Sequence, residues 1–198
     1  MLDEKLTKIT EISLNMRLWT VDEYYRMANA GILQSDERVE LIAGQVIKKM
    51  SPQDPPHATT IRRTKAVLEN ILLADALLQI QLPIRLDDRT EPEPDLAVVM
   101  GDEMRYTDRH PRPDEIYLIV EVADTTLRSD RELKGNSYAR AGIADYWIVD
   151  INGRQLYVLR EPSPSGYQRE SVLSEDETVA MLAFSDRAIA VQSMLPPA

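Results

Sequence analysis

The sequence predicts an α/β protein (α+β mixed), built as a central mixed β-sheet flanked by helices with additional β-hairpins. Three observations predict it. Ile116-Tyr-Leu-Ile-Val-Glu-Val122 is a short apolar run rich in β-branched residues, the pattern of a buried strand. A helical pattern over 129–141 and a second such run, Asp145-Tyr-Trp-Ile-Val-Asp150, follow it. A strand–helix–strand unit of this kind joins parallel neighbours. Upstream, Ala43-Gly44 separates two β-rich runs and marks a tight hairpin.

Each element has its own signal. Thr20-Val-Asp-Glu23 fits a capping box, with Thr20 as N-cap and Glu23 at the third helical position. That helix runs to about Ala30 and stops at Gly31. The hairpin spans Arg38 to Ile47, and Ser51-Pro-Gln-Asp-Pro-Pro56 is a loop because prolines interrupt regular structure. From 57 to 76, Ile61, Val67, Leu68, Ile71 and Leu72 form one apolar helical stripe. Residues 78–86 read as a strand with Pro83 marking an edge or irregularity. A strand at 95–100 follows, then a long charged loop over 101–114. After the strand–helix–strand unit, Asn152-Gly153 turns the chain into a partner strand at 156–159. Weak strands continue to about 182, and 189–195 closes the chain as a short helix or strand.

A chain of 198 residues fits one domain. It is expected to span 17–198, with a β-rich C-terminal part at 160–198 and an N-terminal extension at 1–16. No apolar run approaches the roughly 18 residues of a membrane span. The first residues are too mixed in charge for a secretory signal, so a cytoplasmic location is expected. With no cysteine, disulfides and thiolate metal sites are excluded. The net charge of −10 counts against nonspecific contact with polyanions, though local basic clusters can reverse the sign. Such clusters occur at Arg62, Arg63 and Lys65, and at Arg128, Arg131 and Lys134. The late acids Glu170, Glu175, Asp176 and Glu177 read as a solvated loop.

Chemistry concentrates where acids meet apolar strands. Asp95 opens one strand and Glu121 sits near the exit of the next, 26 positions on. If those strands pair antiparallel, the two carboxylates meet and can share a hard divalent cation. The plainer reading makes Asp95 a turn cap and Glu121 an arginine partner. Asp130, Lys134 and Tyr138 fall on one helix face. Lys134 either points at such a site or pairs with Asp130 on the surface. Glu40 either faces solvent or adds a carboxylate, and His57 either caps its helix or lies at the surface. Two histidines rule out a three-histidine zinc site. No Gly-rich phosphate loop, G-x-S-x-G or H-E-x-x-H motif occurs. Tyr146 and Trp147 read as core.

An ordered set of pieces is more specific than any one of them. It comprises Val39-Glu-Leu-Ile-Ala-Gly-Gln-Val46, His57, Glu93-Pro-Asp-Leu-Ala-Val-Val99 and Ile119-Val-Glu-Val122. It ends in Lys134-x-x-x-Tyr138-x-x-x-Gly142-x-x-x-Tyr146-Trp147. The set resembles the Uma-two family, assigned to the PD-(D/E)XK endonuclease superfamily and formerly a domain of unknown function. The resemblance covers roughly residues 17–160. It implies a restriction-endonuclease-like core with Asp95 and Glu121 as metal carboxylates, joined by the Val122 carbonyl, and Mg²⁺ or Mn²⁺ as cofactor. It implies Glu40 as the family's early glutamate. The superfamily lysine normally stands two residues after the second acid, which here is Ala123, so the resemblance points to Lys134 on the next helix. Ala123-Asp124-Thr-Thr also departs from the Ser-Pro-Ser-type turn of relatives.

The function so implied is metal-dependent DNA endonuclease chemistry by a homodimer with no membrane partner. Lys134 stabilises charge developing on the phosphate or positions water, and Glu40 assists. His57 and Tyr138 are candidates for supporting the site or touching substrate, and Arg62, Arg63 and Arg131 for backbone phosphate contacts. The alternatives are a noncatalytic nucleic-acid-binding or regulatory protein that keeps the fold, and a metal-dependent hydrolase acting on something other than DNA.

Overall fold

In a computed structural model of the protein, the described residues are 16–34, 36–49, 54–72 and 75–197. The expected extension at 1–16 and the loop residues 51–53 therefore lie almost wholly outside them.

Helix α1, Val21–Asn29, starts as its sequence dictates. Glu23 N–H donates to Thr20 Oγ1 (3.2 Å), and Thr20 N–H donates to the Glu23 carboxylate (3.0 Å). Strands β1, Val39–Ile42, and β2, Gln45–Lys48, form an antiparallel hairpin. Ala43 and Gly44 both take positive φ (50° and 77°), the two-residue turn that matches strand twist. The hairpin docks through Glu91 N–H to Leu41 O at 2.8 Å. That contact sets Glu40 over the segment leading to Asp95.

Helix α2 runs Pro55–Leu72. It begins earlier than the sequence suggested, because Pro55 and Pro56 sit in the first turn, where a missing N–H costs nothing. It also ends earlier than residue 76. Six strands make the main sheet: β3 Leu77–Ile80, β4 Leu96–Val99, β5 Ile116–Ala123, β6 Asp145–Asp150, β7 Gln155–Ser163 and β8 Gly166–Ser174. They lie in that order, antiparallel except for the parallel pair β5–β6. β3 is an edge strand, as Pro83 implied, yet it stops at Ile80. Gln81 turns the chain with φ 50°, so residues 84–86 leave the ladder. β8 is a full strand of nine residues, longer than expected. Short strands β9, Thr178–Val179, and β10, Ile189–Ala190, pair with each other.

Between β5 and β6 the chain forms one helical stretch, α3, in three contiguous pieces: Leu127–Ser129, Asp130–Lys134 and Gly135–Arg140. The middle piece is a wide turn in which Gly135 N–H reaches back to Asp130 O. The expected helix began at 129 and carried no such turn.

Alternation along the strands divides the core in two. Leu96, Val98, Leu118, Val120 and Val122 pack with Ile61, Leu68 and Leu72 of α2. Ala97, Val99, Ile119, Ala123 and Tyr146 pack with Tyr138 of α3. Glu121 belongs by parity to the α3 face.

One buried acid locks the sheet to the C-terminal segment. Asp145 is fully buried and accepts from Trp147 Nε1 (2.9 Å), Arg160 Nε (2.8 Å) and Leu182 N–H (2.9 Å). Arg160 also donates to Ala180 O at 2.6 Å. Asp145→Ala leaves these donors unmatched and is expected to cost about 3–5 kcal/mol. At roughly 2–4 °C per kcal/mol, thermal denaturation should show a fall in Tm of about 10 °C.

Candidate active site

The register Leu96↔Val120 places Asp95, one residue upstream, beside the end of β5. Val122 N–H donates to Asp95 Oδ2 at 2.9 Å, and Gln81 Nε2 donates to Oδ1 at 3.1 Å. The antiparallel pairing that the two acids required is therefore present. Glu121 is 3 % exposed, and Tyr138 OH donates to its Oε1 at 2.7 Å. Lys134 Nζ lies 2.9 Å from the same oxygen, 3.8 Å from Glu40 Oε1 and 3.8 Å from Asp130 Oδ1. Glu40 is buried, and its Oε2 accepts from Glu93 N–H at 3.1 Å. Four elements thus send Glu40, Asp95, Glu121 and Lys134 to one cavity of about 280 Å³.

Three further features complete the site. His57 is not a helix cap facing water. Its Nε2 lies 3.0 Å from Val122 O, which can only accept, so Nε2 carries the proton. The same nitrogen is 3.4 Å from Asp95 Oδ2. Asp130 is 3 % exposed, lines the cavity and accepts from Thr126 Oγ1 at 2.6 Å. The four-residue spacing to Lys134 was visible in the sequence, but it equally describes a surface ion pair. Arg38, Lys48 and Lys49 of the hairpin line the mouth, and Lys49 Nζ donates to Glu93 O at 2.8 Å.

Other expected residues stand elsewhere. Arg62 donates to Thr59, Arg63 to Gln192 O, and Arg131 to Glu170 at 2.6 Å while lying over the Tyr157 ring. None of the three lines the cavity. Asp124 is held by Asn152 Nδ2 (2.7 and 2.9 Å) and does not line it either. His110, for which no role was expected, pairs with Tyr25 OH at 3.1 Å, away from the site.

The electrostatics follow from four acids facing one ammonium and one imidazole. Burial pushes Glu121 up to about 8, and Asp95, Asp130 and Glu40 push the same way against Lys134. Asp130 is also raised, first by burial. Burial alone would raise Asp95, but His57, Val122 N–H and Lys134 outweigh it and hold it below the ordinary value. Burial would depress Lys134, yet Glu121, Glu40 and Asp130 raise it, so the amine stays charged. His57 is raised because Asp95 outweighs burial. The cluster therefore shares a proton near neutral pH unless a cation enters.

The donors are all oxygen, the ligands Mg²⁺ and Mn²⁺ favour. Among the described residues no three acid or histidine side chains form a ready ligand cage. Two carboxylates with water completing the shell still fit Mg²⁺, which keeps several waters.

A family model described as "Putative restriction endonuclease", Uma2, matches residues 21–192. This chain belongs to the Uma2 family. Its fold matches a crystal structure from Anabaena variabilis ATCC 29413, described as a putative nuclease belonging to DUF820. Identity is 17 %, TM-score 0.68, covering 88 % of this chain and 96 % of that one. That likeness shows a shared fold for this Uma2 chain, a mixed sheet flanked by helices. No curated protein matches it. Among the described residues of this Uma2 protein no helix is long and apolar enough to cross a membrane.

Proposed function

We propose that the protein is a nuclease that hydrolyses phosphodiester bonds in DNA with the help of Mg²⁺ or Mn²⁺. The observation that carries the reading is Lys134 Nζ at 2.9 Å from Glu121, over the Asp95 end of β4. Asp95 and Glu121 would hold the ion, with the Val122 carbonyl contributing a lone pair left by His57. The bound ion supplies an acidified water and polarises the phosphodiester. Lys134 keeps its proton and offers fixed positive charge to the phosphate oxygen that becomes more negative. Glu40 and Asp130 hold that ammonium in place. His57 fixes the orientation of Asp95 and the Val122 carbonyl. Arg38 and Lys48, beside Lys49 paired with Glu93 (3.1 Å), put cations at the mouth of an otherwise acidic protein, where a polyanion would approach.

Supercoiled plasmid with Mg²⁺ or Mn²⁺ tests the reading. Nicking is expected from the purified protein and is expected to vanish in Asp95→Ala. Ion binding without cleavage of DNA or RNA would instead favour the noncatalytic alternative. Duplex cleavage by a single-site protein is simplest with two copies, so light scattering should return twice the 22.5 kDa chain mass.

A further inference from the structure

Tyr146 is part of the signature run but reads from the sequence as core. Its ring is fully buried, edge-on to Tyr138 at 4.9 Å between centroids. Its hydroxyl, however, makes a specific bond, donating to Asp130 O at 3.0 Å. That carbonyl opens the wide turn Asp130–Lys134, and it also accepts Gly135 N–H from five residues on. An ordinary helix would close that ring one residue earlier. The extra residue per turn rotates Lys134 relative to α-helical register, on the segment whose amine meets Glu121, Glu40 and Asp130.

Gly135 lies close to the same carbonyl and the same ring. A Cβ there would stand 3.3 Å from Asp130 O and 3.6 Å from the Tyr146 ring. Its φ of −55° is ordinarily helical, so the backbone conformation does not call for glycine. A Cβ would press on the Asp130 carbonyl by a few tenths of an ångström and rest in ordinary contact with the ring.

We propose that Tyr146 is a positioning residue for Lys134: its phenol hydroxyl clamps the Asp130 carbonyl and so fixes the wide turn that delivers the amine to Glu121. Tyr138 acts on the other partner, since its hydroxyl holds the Glu121 oxygen that Lys134 also contacts. The adjoining rings thus lock amine and acid to one another from below. This clamp rests on the nuclease reading for its catalytic consequence but not for its geometry.

Two measurements separate the clamp from the nuclease reading. In ¹⁵N-lysine-labelled protein, the buried, ion-paired ammonium of Lys134 should give a resolved NMR cross-peak, assigned by its loss in Lys134→Arg. Tyr146→Phe keeps the ring and removes only the clamp. The cross-peak is expected to broaden or shift while the fold persists, and kcat to fall about 10- to 100-fold with KM little changed. Gly135→Ala, which presses on the same carbonyl, is expected to do likewise, and it decides the matter should Tyr146→Phe not fold. An unchanged ammonium signal in a folded Tyr146→Phe or Gly135→Ala protein overturns the proposal, whatever the activity. A shifted signal in a protein that cleaves nothing upholds the clamp and removes only the nuclease reading.

Discussion

Lys134→Ala is expected to lower phosphodiester cleavage by about 100- to 1,000-fold, the typical loss on removing one fixed electrostatic contact to developing charge. The arrangement adds a second, structural signature. Among the described residues, Lys134 is the single ammonium beside Glu121, Glu40 and Asp130, at 2.9–3.8 Å. Without it Glu121 and Asp130, already raised by burial, lose the charge that opposes that rise and go up further. An acid raised in the folded state is favoured below its unfolded pKa and loses that advantage as pH rises through the folded value. The variant should therefore approach wild-type stability near about pH 5 and lag behind it near about pH 8. Tm measured against pH reads this directly. A uniform deficit at every pH would mean that lost packing, not lost charge, dominates.

Metal binding should depend steeply on pH. A carboxyl must be deprotonated to ligate, and burial raises Glu121 to about 8. Mn²⁺ affinity is expected to rise about tenfold per pH unit from roughly pH 6 toward 8, then level off. Roughly one proton should leave per ion bound at about pH 6.5, visible by calorimetry in two buffers of different ionisation enthalpy. The sign for the metal-free protein is opposite. Because the folded pKa is raised from 4.5, the stabilising effect of this group is complete below pH 4.5 and is lost as pH climbs through about 8. An added ion at about pH 8 should therefore raise Tm more than at about pH 5. Affinity that ignores pH would show that Glu121 is not a ligand.

Much of the fold was legible because it rests on local signals. The capping box at Thr20, the Ala43-Gly44 turn and the β-branched runs of β5 and β6 are short-range features, and each forms where the sequence places it. The pairing of Asp95 with the end of β5 followed from one assumption about strand direction. What escaped was set by tertiary contact. The strand expected over 78–86 ends at Ile80 because Gln81 turns and gives its side chain to Asp95. The wide turn in α3 depends on a tyrosine from the following strand, which no helical pattern records. Asp130 looked like a surface partner of Lys134, and His57 was a candidate through the family resemblance alone, because burial, not spacing, makes them part of the site. Arg62, Arg63 and Arg131 were candidates by charge alone, and their neighbours claim them.

Ala123 stands two residues after Glu121, where the resemblance read in the sequence leads one to look first for a lysine. Its side chain is wholly enclosed, in a cluster with Tyr138, Ile143 and Ile148. A lysine grafted there would thrust a long aliphatic stem and a charge into closed apolar space. Overfilling alone costs about 1–3 kcal/mol. An amine on the strand would thus compete for space with the aromatic layer of this scaffold. Transplanting the residue back to the strand means hollowing out the aromatic layer beneath it, and that layer is what holds the helical lysine where it now stands.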